Sequence, residues 1–170
     1  MPQKIGQITN ADLYLNSNDV KGRVAEFDMG EVGHQEVEHS ALGMIGVLKL
    51  PGRPVQPIEG KIMFEWLDEE VERIMMNPTK VNKIQLHSYV DIFDAEGLNA
   101  DQSHTLVTHV AFNLMKTGGR PAKLGEQMAS EHDICIHSFV QKVYGDSTPI
   151  IEFDVFSGIY SVNGENVWPV

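Results

Sequence analysis

The chain has 170 residues, 42% of them hydrophobic and 22% charged, which is enough apolar content for one domain with a real core and too much for a disordered segment. A formal net charge of −11 excludes a generic nucleic-acid binder, whose affinity for phosphate comes from Lys and Arg. Cys135, the single cysteine, excludes an intramolecular disulfide and suits a reducing cytoplasm; no apolar run approaches a membrane span, and the opening lacks the basic-then-apolar order of a signal peptide.

Most of the chain alternates apolar and polar residues with period two, the pattern of half-buried strands. Three strands are expected near the N-terminus, over 11–15, 23–29 and 32–39. Residues 40–57, SALGMIGVLKLPGRPVQP, come next. Leu42, Met44, Ile45, Val47, Leu48 and Leu50 are large and apolar, while Gly43, Gly46, Pro51, Gly52, Pro54 and Pro57 interrupt any regular element. So long and apolar a loop has to bury its surface, and another protein chain is the natural place. A strand over 61–66 leads into an amphipathic helix over 67–76, whose stripe Leu67, Val71, Ile74 and Met75 is expected to pack on the sheets. Asp68, Glu69 and Glu70 suit the helix N-terminus, and Asn77-Pro78 ends it. Further strands are expected over 84–92, 106–114, 133–143 and 149–155, with turns at 16–18, 95–97, 118–121 and 145–149. The sum is a mainly β fold in one domain over 1–170. It consists of two packed antiparallel sheets or a partly open barrel, flanked by one helix, with 40–57 as a long protruding loop.

Nothing in the sequence supports a reaction class. His34-Gln35-Glu36-Val37-Glu38-His39 resembles a metal motif at a glance, but zinc hydrolases need histidines one helical turn apart. In a strand His34, Glu36 and Glu38 share one face and His39 the other. His132, Cys135 and His137 lack a paired-cysteine framework, and Glu131 and Asp133 oppose a reactive thiolate. Gly118-Gly119-Arg120-Pro121 is not followed by the Lys-Ser/Thr of a phosphate-binding loop. The chain is expected to be no enzyme and to need no cofactor or metal.

The order of elements resembles the major tail tube protein of contractile-tailed, P2-like bacteriophages, a family that includes R-type bacteriocin tubes. The resemblance is carried by Asn10-Ala11-Asp12-Leu13-Tyr14-Leu15 as a first strand and by Ala41-Leu42-Gly43-Met44 at the root of a protruding loop. Met63-Phe64-Glu65-Trp66 matches the strand before the helix, and Lys116-Thr117-Gly118 through Lys123-Leu124-Gly125-Glu126 the connection before the longest strand. The match is strongest at the end, in Ile151-Glu152-Phe153-Asp154 and then Val162-Asn163-Gly164-Glu165-Asn166. Two features depart from it: the loop is unusually rich in proline, and no basic tail follows Gly164.

The resemblance implies a structural virion protein that self-assembles into hexameric rings, stacked into the inner tube of a contractile tail and conducting DNA into the host. Its partners would be its own copies, the sheath, baseplate and tail terminator proteins, and double-stranded DNA in transit without specific binding; no membrane is involved. Assembly would take place in the host cytoplasm. Four strands from each subunit would form an inner barrel. About 24 strands roughly 4.8 Å apart and tilted about 40° give a barrel roughly 48 Å across, whose inward side chains would leave a bore of about 35–40 Å, ample for a duplex. A negative lining would let phosphate pass, and the candidate lining residues are Glu26, Asp28, Glu36, Glu38, His87, Asp91, His109 and Asn113. The loop residues Leu42, Gly43, Met44, Ile45, Val47, Leu48 and Leu50 would pack between subunits and rings. Two other readings remain open from the sequence: a monomeric β-sandwich binding module with a recognition loop, and a metal-dependent hydrolase.

Overall fold

The period-two pattern does build strands, and they build one branched sheet. A computed structural model of the protein describes residues 3–20, 23–66 and 68–169. In chain order the elements are β1 (Ile5–Leu15), β2 (Asn18–Asp19), β3 (Val24–Asp28), β4 (His34–His39), β5 (Leu48–Val55), β6 (Ile58–Phe64) and α1 (Glu69–Met75). They continue with β7 (Asn82–Asp94), β8 (Gly97–Thr117), β9 (Ser130–Val143), β10 (Ile151–Asp154), β11 (Ile159–Val162) and β12 (Glu165–Asn166). Among the described residues the chain is mainly β with a single helix, every pairing is antiparallel, and no barrel closes.

Ten strands form one sheet in the order β12-β11-β10-β9-β8-β7-β1-β2, with β6 and β3 branching from β9. The branch arises on the long strand β9. One of its edges pairs with β8, while the other is shared: residues from Ser130 to Ile136 pair with β6, and Ser138 to Gln141 pair with β10. At the junction the register with β8 slips, because Ala111 faces Ser138 and Phe112 faces Ile136, leaving His137 as the extra residue of a bulge. The inward set of β9 therefore changes from even positions (His132, Ile134, Ile136) to odd (Phe139).

One row of core side chains crosses six strands by register: Leu15, Ile84, Val110, Phe139, Phe153 and Tyr160, all buried. Phe139, Phe153 and Tyr160 contact one another ring to ring at 5.6 and 5.8 Å between centroids. A second buried row runs Phe112, Ile136, Ile58. Leu13, Val20, Ile62, Phe64, Val71, Met75, Leu114 and Ile134 complete this core.

The helix is shorter than its sequence pattern suggests. Asp68 is its N-cap, its carboxylate accepting from the Glu70 N–H at 3.2 Å, and Glu69, Glu70 and Glu72 occupy the first turn. Val71 and Met75 are buried, but Ile74, expected on the packing face, is 43% exposed. In about two turns of helix the i, i+4 pair Val71 and Met75 sets the buried line, and Ile74 lies well round the cylinder from it. Leu67 falls outside the described residues.

The strands differ from the sequence pattern in several places. β8 runs much further than 106–114, and β1 begins well before residue 11. Two short strands, β11 and β12, follow β10. Their hairpin turn is Asn163-Gly164, with φ of 52° and 78°, the left-handed pair of a type I′ turn that Asn-Gly favours. Residues 48–55, expected within a loop, are strand β5, paired with β4 in a separate two-stranded sheet.

One polar network ties the helix to the sheet. Buried Asn82 donates Nδ2 to the Met75 carbonyl at the helix end (3.1 Å) and accepts from Asn16 Nδ2 (2.8 Å). Asn16 in turn exchanges bonds with the Lys83 backbone at 2.8 and 2.9 Å. Replacing Asn82 with Ala strands the Met75 carbonyl and the Asn16 amide together. The expected loss is about 1–3 kcal/mol in urea unfolding; an unchanged midpoint would show that the network contributes nothing net.

Candidate functional site: an outer sheet face and an apolar arm

The face of the large sheet opposite the core follows directly from the register. Across β3, β6 and β9 it carries Glu26 and Asp28, then Glu59, Lys61 and Met63, then Glu131, Asp133 and Cys135. Across β9, β8, β7 and β1 it continues with Val140, His109, Gln85 and Tyr14 in one row. Of the eight residues nominated as lining, six lie on this face: Glu26, Asp28, His87, Asp91, His109 and Asn113. Glu36 and Glu38 do not; they belong to the separate β4–β5 sheet, because alternation tells which residues share a face but not which sheet they join.

The face has two electrostatic halves. In the acidic half Lys61 Nζ bonds Glu131 Oε1 at 2.8 Å, with Asp28 and Asp133 opposite Lys61 in register. That bond and charge lower the Glu131 pKa and raise that of Lys61. Glu26, Asp28, Glu59 and Asp133 keep this half net negative around a single lysine on β6. The other half is mostly neutral. His87 stands edge-on to Tyr14 (5.8 Å) and meets Gln85 Nε2 at 2.6 Å. Exposed His109 has its pKa lowered, first by desolvation and then by Lys142 and His87. A shallow depression of about 320 Å³ lies between Tyr14, Lys83, Gln85, His109 and Ser138. Asp91 accepts a hydrogen bond from the Thr9 hydroxyl at the end of the face, and Asn113 sits half-buried opposite Cys135.

The second feature is the hairpin arm of β4 and β5. Its prolines do not prevent a strand, because a two-stranded sheet has only edge strands, where a missing N–H can face solvent. The register skips from His34–Val55 to Glu36–Pro51, so Gly52, Arg53 and Pro54 bulge opposite Gln35. A Cβ on Gly52 would come within 2.9 Å of the Gln35 carbonyl, so glycine is required at this bulge. His34 anchors the root: its Nε2 meets Tyr160 Oη at 2.9 Å, with the rings stacked, and Gln56 N–H bonds the Gly33 carbonyl.

Beyond the root the arm is two-faced. Glu36, Glu38 and Lys49 share one side, with Lys49 bridging both carboxylates at 2.9 and 3.5 Å. Val37, Leu48 and Leu50 share the other, and all three are exposed. At the tip Met44 and Val47 are exposed and Leu42 and Ile45 are fully so, while Gly43 takes a φ of 90°.

The metal-like clusters of the sequence do not assemble. His34 sits at the arm root and exposed His39 at its far end. His132 is wholly buried, bonded to Ser130 Oγ at 3.0 Å and edge-on to Phe64, whereas Cys135 lies half-buried on the outer face. Among the described residues no group of three or more His, Cys, Asp or Glu side chains is placed to hold a metal ion, and no helix is long and apolar enough to cross a membrane. Sequence reasoning missed the apolar groove beside the arm root, formed in part by Val155, Ile159 and Trp168; the only signal was an apolar Val155-Phe156 pair in a turn segment.

A charged sheet face backed by a continuous core, with an amphipathic arm whose apolar side is bare, defines an assembling structural subunit. A comparison of families supports this: the profile of phage tail tube protein FII matches residues 5–169, and the chain belongs to that family. It is a tail tube structural protein, a component of the phage tail. No curated protein matches its sequence significantly. Solved structures share its fold, two of them from an extracellular contractile injection system, PVC. The sheath/tube terminator in the extended state aligns with a TM-score of 0.55 and 9% identity, covering 80% of this chain and 95% of that one. The sheath-tube complex in the extended state aligns with a TM-score of 0.55 and 8% identity, covering 81% and 90%.

Buried His132 makes stability depend on pH. Desolvation, followed by the Arg120 charge, holds its pKa below the ordinary 6.5. His137, whose ring nitrogens are buried without hydrogen-bond partners beside Phe156, is lowered for the same first reason. The unfolded chain therefore binds more protons near pH 6. Stability is full above the unfolded value and is lost as pH falls from about 6.5 toward the folded values. Urea unfolding at pH 7.5 and 5.5 should show this loss, reduced in His132→Gln; equal pH dependence in the two proteins would rule out His132 as its source.

Proposed function

We propose that this chain builds the inner tube of a contractile tail by stacking hexameric rings, and that the tube is a conduit for double-stranded DNA. The observation that carries the reading is the arm. Its apolar side and its tip are bare in the isolated subunit, and burying them fully would contribute roughly 1.5–3 kcal/mol for each large side chain. A monomer rarely keeps such a surface.

The open sheet supports the same reading. Among the described residues β3 and β12 are each paired on one side only, and closing a ring of subunits would satisfy edges that otherwise invite indiscriminate pairing. In that ring the outer face would look into the channel. Its acidic half, with Glu26, Asp28, Glu131 and Asp133, would repel phosphate, whereas a basic lining would bind it through counterion release. The opposite side of the ring would meet the sheath, as the solved sheath-tube neighbours suggest, and the tube ends would meet baseplate and terminator proteins. Such a subunit performs no catalysis and needs no cofactor, and its copies would assemble in the host cytoplasm.

Deleting Leu42 to Val47, which removes the tip and leaves the β4–β5 pairing in place, should give a folded subunit with an almost unchanged far-ultraviolet spectrum that no longer sediments as tubes. Tubes of normal length from this variant would remove the arm from assembly. Separately, Asp28→Lys with Asp91→Lys should give intact tubes and particles that deliver DNA several-fold more slowly, an effect that weakens with added salt. Unchanged infectivity would place the outer face somewhere other than the channel.

A further inference from the structure

Beside the root of the arm lies a groove of about 360 Å³, walled by Val55, Phe153, Val155, Ile159, Tyr160 and Trp168. Its mouth is unusually apolar for a surface: Phe156, in the adjoining turn, is 79% exposed, and Val155 and Ile159 are exposed beside it. We propose that this groove receives the arm tip of a second copy of the chain, with Leu42 and Ile45 inserted. The proposal rests on the tube reading and specifies where its contact falls.

The arm cannot fill its own groove. Arg53 to Val55, at one end of β5, form part of the groove, while the tip precedes Leu48 at the other end. Eight strand residues at about 3.3 Å each separate them by roughly 25 Å. The root is also held against β11 by the His34–Tyr160 contact.

Charge favours a copy of the same chain. Residues 40–47 carry no charge, which suits an apolar cleft. Asp154, at the groove, is occupied locally, accepting from the Phe156 and Ser157 N–H groups and the Ser157 hydroxyl. Arg53, at the rim, has no ion-pair partner among the described residues. The polar side of the arm holds Glu36 and Glu38 against Lys49 alone, two negative charges to one positive, leaving a net −1 to meet the +1 of Arg53. Glu38 lies just before the tip, so an inserted tip would bring it to the rim.

Tip and groove are different surfaces of one chain, so a copy that gives its tip to one neighbour and its groove to another joins head-to-tail, and the contacts close into a ring or continue as a filament. The tube reading requires this arrangement, since reciprocal exchange between two copies would stop at a dimer.

The test uses the full chain with Cys135→Ser, Ile45→Cys and Ile159→Cys, assembled, mildly oxidised and run on a non-reducing gel. The expected result is a ladder of covalent multimers, whereas each single-cysteine control gives at most dimers. Tubes visible by electron microscopy but without a ladder would overturn the groove while leaving the tube reading intact. A wild-type chain that remains monomeric, its groove then serving a foreign protein, would overturn both. As a second arm, Arg53→Glu should raise the concentration needed for assembly at least tenfold, and adding Glu38→Arg should bring it back. Assembly of Arg53→Glu at the wild-type concentration would contradict the proposal.

Discussion

The structure depends on how β9 divides its free edge. One strand serves two partners, β6 along its first half and β10 along its second, and the bulge at His137 lets it do so without turning its apolar residues to solvent. A one-residue slip would otherwise carry every following side chain to the wrong face. Here the inward set passes from Ile134 and Ile136 to Phe139, and the core continues unbroken into Phe153 and Tyr160. The sheet can therefore branch and wrap its core without closing into a barrel.

That constraint accounts for the surfaces left over. With the core on one side, the opposite side of the same strands is a broad polar face, acidic toward β3 and β6 and largely neutral toward β7 and β1. Tyr160, the last member of the core row, also fixes the arm through His34. The root of the arm is thus tied to the core, while its tip contacts little else of its own subunit. Stability is concentrated in the row of large side chains, and the surface proposed for assembly stands outside it, so changes at the tip need not disturb the fold.

Much of this was legible in the sequence, because alternation is a direct print of strand geometry. The strands around 84–92, 106–114 and 133–143 are where the pattern puts them, and so is the chain's family. The limits are physical. Proline and glycine argued against a strand at 48–55, yet a two-stranded arm tolerates them because each of its strands is an edge. Glu36 and Glu38 alternate just as Glu26 and Asp28 do, and no local signal tells that their strand leaves the main sheet. Ile74 fits a helical stripe, but in this short helix the buried line is Val71 and Met75. The groove combines β5, β10, β11 and Trp168, segments far apart in sequence, so its existence depends on tertiary pairing alone.

The central claim is that this sheet, repeated around an axis, lines a channel. Cryo-electron microscopy of the purified chain after self-assembly tests it most directly. The account predicts hollow tubes of six-fold rings with Glu26, Asp28 and His109 facing the bore and the helix facing outward. Tubes in which that face points to the exterior, or rings of another symmetry with the face buried between subunits, would contradict it.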